Sequence, residues 1–68
     1  MMKMFEVGTR VIVEDYFADY LIGEAGTVVG YSPLNTFHLV VIDRAAYFQL
    51  KEPKWLRKEQ LRKVDDNE

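Results

Sequence analysis

The sequence predicts an all-β fold of five short strands curled into a small barrel, and three observations carry that expectation. Runs rich in valine and isoleucine, at Thr9–Glu14, Gly26–Tyr31 and Phe37–Asp43, hold residue types that suit a pleated, half-buried surface. Glycine and proline break the chain between these runs, which is the punctuation of strands and turns. Finally, a chain of 68 residues buries only about 60% of the surface it exposes when unfolded. Strands this short cannot cover their faces in a flat sheet. Curling gives them a common core and removes open edges.

The elements follow in order. In Thr9-Arg10-Val11-Ile12-Val13-Glu14, Val11 and Val13 fall on one face and Arg10, Ile12 and Glu14 on the other, which makes a first strand. The twelve residues from Asp15 to Gly26 are too many for a hairpin turn and mark a long loop of the kind that carries function. Gly26-Thr27-Val28-Val29-Gly30-Tyr31 is the second strand. Ser32-Pro33-Leu34-Asn35-Thr36 is a turn, in which proline fixes φ and Asn35 tolerates the left-handed region. Phe37 to Asp43 is the third strand, apolar on both faces in its middle and therefore expected centrally. Tyr47-Phe48-Gln49-Leu50 adds a few strand residues to the same hairpin.

The stretch from Lys51 to Lys63 admits a helix, since Leu56 with Gln60 and Trp55 with Glu59 stand four apart. Pro53 precedes it, however, and Trp55, Leu56, Leu61 and Val64 do not keep a 3.6-residue period. The favoured reading is a strand at Lys54–Arg57, a short 3-10 turn at Lys58–Gln60 and a last strand at Leu61–Val64.

Taken together, Val7-Gly8-Thr9-Arg10-Val11-Ile12-Val13, Gly23 through Gly26-Thr27-Val28-Val29, Val40-Val41-Ile42-Asp43, and Trp55-Leu56 with Glu59-Gln60-Leu61-Arg62-Lys63-Val64 resemble an SH3-like small barrel. The chain is similar to the branch that holds the KOW and Tudor-type domains, and to the small photosystem I barrel subunit and its electron-transfer accessory relatives. The resemblance spans about residues 6–64 of a single domain, 1–68, with an acidic tail at 65–68. It implies a five-stranded SH3-like barrel whose long first loop, with the aromatics facing it, forms a ligand groove. Such a fold hosts nucleic-acid binders, peptide binders and inert subunits alike.

Residue chemistry argues against an enzyme. There is no cysteine, and His38 is the only histidine, so neither a thiolate nucleophile nor a recognisable set of metal ligands is present. Ser32, the only serine, lies in a Ser-Pro turn with no histidine beside it. The glycines at 23, 26 and 30 lack phosphate-loop spacing and read as turn and bulge positions. No cofactor and no metal are expected, and His38 reads as a satisfied or half-exposed strand residue. No secretory signal or membrane span is visible; a cytoplasmic protein without a membrane partner is the expectation.

Charge and aromatic placement point instead to a surface. The net charge of −2 hides segregation. Residues 11–43 carry Glu14, Asp15, Asp19, Glu24 and Asp43 with no lysine or arginine, whereas residues 44–63 carry Arg44, Lys51, Lys54, Arg57, Lys58, Arg62 and Lys63 against Glu52 and Glu59. A basic face could meet phosphates, with Trp55 and Tyr47 as stacking platforms, or the two blocks could lie together and offset one another. Tyr16, Phe17 and Tyr20 all fall in the first long loop, more ring area than a small domain leaves in a loop without something to cover it. Phe17 or Leu21 is expected to fold back as a plug for the barrel.

The expected function is that of a non-enzymatic adaptor that docks on a larger protein. Tyr16, Phe17, Tyr20, Tyr47 and Trp55 would be its contacts, and Glu14, Asp15 and Asp19 an acidic rim that selects a basic partner. The alternatives are a KOW-like nucleic-acid-associated barrel using Lys51, Lys54, Arg57, Lys58 and Arg62, and a structural subunit with no discrete site.

Overall fold

A computed structural model describes residues 3–44 and 52–64. Five strands form one antiparallel sheet: β1 (Arg10–Val13), β2 (Ala25–Tyr31), β3 (His38–Ile42), β4 (Lys54–Leu56) and β5 (Leu61–Lys63), in the order β4-β3-β2-β1-β5. Two 3-10 turns accompany them among the described residues, at Asp19–Leu21 and at Lys58–Gln60. The C-terminal stretch is thus strand, turn, strand. Tyr47–Leu50, Lys51 and the acidic tail lie outside the described residues.

The first strand is held on both sides, Val11 facing Gly26 on β2 and Lys63 on β5. The core draws on every strand, with Val11 and Val13 from β1, Val28 from β2, Val40 and Ile42 from β3, Leu56 from β4 and Leu61 from β5. Since both end strands feed one cluster, the sheet must curl, and it forms a half-barrel. No strand pairing joins β4 to β5 among the described residues; each is three residues long and the 3-10 turn directly links them. A register shift between Val28 and Gly30 places a bulge in β2, which adds bend and twist where the sheet curls.

Other local details follow the sequence chemistry. Asn35 takes a φ of 55° in the hairpin between β2 and β3. Ser32 Oγ accepts the N–H groups of Thr36 and Phe37, both at 3.0 Å, so the lone serine is a turn clip. β3 is interior to the sheet, but it is buried on one face only. His38, Val40 and Ile42 point inward, while Val41 is exposed. No helix among the described residues is long and apolar enough to cross a membrane.

Candidate functional site

The long first loop is built on a closed base. Val13 N–H donates to the Glu24 carbonyl at 2.9 Å and Gly23 N–H to the Val13 carbonyl at 2.8 Å. Gly23 takes a φ of 90° there, a conformation that favours glycine. Within the loop, the turn Asp19–Leu21 drives Leu21 into the core, where it is fully buried. Leu21 is therefore the plug. Phe17 is not: it is 89% exposed.

Around that plug the loop aromatics gather. Tyr16 packs against the core and its ring lies 4.4 Å from that of Phe17 and 6.2 Å, edge-on, from that of Tyr20. Burial raises the Tyr16 phenol above its ordinary value, and the neighbouring Tyr20 raises it further, so it stays a neutral contact surface. Lys54 Nζ sits 5.8 Å from the Tyr20 ring centre, a cation–π distance. These rings form one platform on a fixed base.

The remaining predicted anchors are placed elsewhere. Trp55 alternates with Lys54 and Leu56 along β4 and so lies on the sheet's outward face, opposite Leu39 of β3. No ring contact joins it to Tyr16, Phe17 or Tyr20 among the described residues. Val29 and Val41 are likewise exposed apolar strand residues. Tyr47 lies outside the described residues.

Of the acidic rim, Glu14, Asp15 and Asp19 are all exposed. Glu14 is engaged: Arg62 Nε donates to its Oε2 at 2.6 Å. Arg44 similarly pairs with Glu24 at 3.1 Å, and Arg10 pairs with Asp43, whose carboxyl is held below its ordinary range mainly by that hydrogen bond. The acidic and basic blocks thus partly offset one another. The predicted basic set is also divided. Arg57 stacks 5.4 Å from the Phe37 ring centre and Lys58 5.2 Å from that of Phe5. These two line an open cleft of about 310 Å³ with Met4, Asn35, Thr36 and Glu59, while Lys54 lies over Tyr20.

Gln60 fixes the loop. Its carbonyl accepts Glu14 N–H at 2.8 Å and Asp15 N–H at 3.4 Å. Its side chain donates to the Asp15 carbonyl and accepts Arg57 N–H. Its bond to Arg57 is the local half of a capping box, but its bonds to the loop 45 positions away leave no signal in the sequence.

No known protein family, curated protein or solved structure matches the chain. The fold therefore rests on the strand order and register, and the site on its geometry.

Proposed function

We propose that this protein is a non-enzymatic binding module of SH3-like kind, which docks on a larger protein through its long first loop. The observation that carries the reading is Phe17, a ring left 89% exposed yet stacked on Tyr16, which is itself packed on the core. A large apolar side chain held this way presents contact area with little ordering left to do on binding. Tyr20 extends the platform, and Asp15 and Asp19 give it a negative border that suits a partner with a basic rim. Trp55 would serve as a second contact on the outward face.

The test is capture of partners by the immobilised chain, comparing the native sequence with Phe17→Ser and Tyr20→Ala. Loss of a defined protein partner, with the circular dichroism spectrum unchanged, supports the reading. Retention of that partner by both variants overturns it. Binding that instead weakens steeply with salt, and disappears in Lys54→Glu with Arg57→Glu, would assign the ligand to nucleic acid.

A further inference from the structure

Among the described residues His38 is the one polar residue with a fully buried side chain, and both of its ring nitrogens are used. The Phe5 N–H donates to Nε2 at 3.0 Å, and Nδ1 lies 3.2 Å from the Leu56 carbonyl. A carbonyl can only accept and a backbone N–H can only donate. The ring is therefore neutral with its proton on Nδ1.

We propose that His38 is a proton-operated latch for the N-terminal segment, which frees residues 3–6 from the sheet when Nε2 takes up a proton. Protonation acts on one side of the ring only. The Nδ1–H bond to Leu56 survives it, whereas Nε2 changes from acceptor to donor and meets the Phe5 N–H head-on.

The segment is also held by the Phe5 side chain packed against the core, with Lys58 over its ring, and by the Glu6 carbonyl, which accepts the Thr9 N–H at 3.0 Å. The Phe5 carbonyl accepts the Tyr31 hydroxyl at 2.6 Å, and the Phe5 ring lies 5.4 Å from that of His38. The ladder with β2 begins only at Gly8, whose N–H donates to the Val28 carbonyl at 2.7 Å. Residues 3–6 can thus leave without breaking a strand pairing.

The surrounding groups favour release. Lys58, from the second 3-10 turn, places its ammonium over the Phe5 ring and opposes a second positive charge at His38. From β2 the facing titratable group is the Tyr31 hydroxyl, with its ring 5.9 Å from His38, and β4 offers only the Leu56 carbonyl. Lys3, Glu6 and Lys63 line an adjoining cleft of about 320 Å³ with Phe5, and no carboxylate hydrogen-bonds the ring among the described residues. Burial holds the imidazole below its ordinary value of 6.5; the bond to Leu56 opposes this and Lys58 adds to it. Met4 and Lys58 line both clefts, so withdrawal of the segment would take a wall from each.

The test is NMR of the full chain between about pH 7.5 and about pH 5, reading the His38 ring nitrogens and the protection factors of the backbone amides. The expected result is a neutral Nδ1–H ring at the upper end, with tenfold or greater loss of Phe5 protection on protonation, on the order of one hydrogen bond. Protection at Val11, Val28 and Val40 should persist. Tyr31→Phe removes another hold, so its release midpoint should move to higher pH. His38→Gln keeps a donor and an acceptor but cannot titrate, so Phe5 protection should become independent of pH. Phe5 protection that ignores His38 protonation would overturn the latch, as would simultaneous loss at Phe5 and the core strands, or a Tyr31→Phe midpoint that stays in place.

Discussion

Gln60 and Asp15 exchange hydrogen bonds in both directions across 45 positions of sequence. The Asp15 N–H donates to the Gln60 carbonyl at 3.4 Å, and Gln60 Nε2 donates to the Asp15 carbonyl at 3.1 Å. Through this pair the turn before the last strand sets where the aromatic loop begins. Replacing Gln60 with alanine keeps the backbone acceptor and removes both side-chain bonds. The expected loss is about 1–2 kcal/mol, from two partly solvated bonds, measured as a shift of the urea midpoint. Amide exchange at residues 15–20 should quicken more than exchange in β3. Equal quickening in both would mean that Gln60 supports the whole sheet and not the loop.

Leu21 and Phe17 belong to the same loop and should respond oppositely. Leu21→Ala empties a fully buried position and should destabilise by about 2–5 kcal/mol, which for so small a core removes most of the folded population. Phe17→Ser touches a ring that is almost wholly in water and should leave stability within about 0.5 kcal/mol. Denaturant unfolding of the two variants checks both.

Stability should fall on mild acidification. His38 binds a proton less readily in the folded protein than in the unfolded chain, so below its ordinary value of 6.5 the unfolded state takes up more protons and gains on the native state. The contribution is complete above that value. It is lost from there downward until the folded imidazole is itself protonated. Urea midpoints measured across that window should decline with falling pH in the native sequence and flatten in His38→Gln. A midpoint that rises as the pH drops would contradict the buried, neutral assignment.

Gly26 lies close against β3. A methyl group there would lie 2.6 Å from the Val41 carbonyl oxygen and 2.8 Å from Val40 Cγ1, and the nearer of these is backbone that cannot swing aside. Gly26→Ala should therefore destabilise by about 1–3 kcal/mol, despite alanine's advantage in an open strand. Thermal unfolding monitored by circular dichroism would show it.

Much of the fold was legible because period and punctuation agreed. Val11 and Val13 share a buried face as their spacing required, the hairpin turned at Asn35, and Pro53 with an irregular apolar spacing favoured strand, turn, strand over a helix. The site was less legible, for a physical reason. Sequence spacing located three aromatics in one loop, but which of Phe17 and Leu21 would enter the core depends on the direction of a single 3-10 turn. Trp55 read as a neighbour of that loop, yet strand alternation turned it to the outward face. The ion pair of Arg62 with Glu14, 48 positions apart, lies beyond any local pattern.

The neighbours of β1 also bear on how the sheet is completed. Its outer edge is closed only by β5 (Leu61–Lys63), which lies far from it in sequence. Without β5, the β1 edge of the β1–β2–β3 meander would be bare and open to any other chain that can complete it. The exposed Arg62 and Lys63 on β5 would help keep that closing strand apart from its own copies on neighbouring chains. Closing this edge thus depends on a pairing made across most of the described chain, and a chain that fails to make it leaves β1 open.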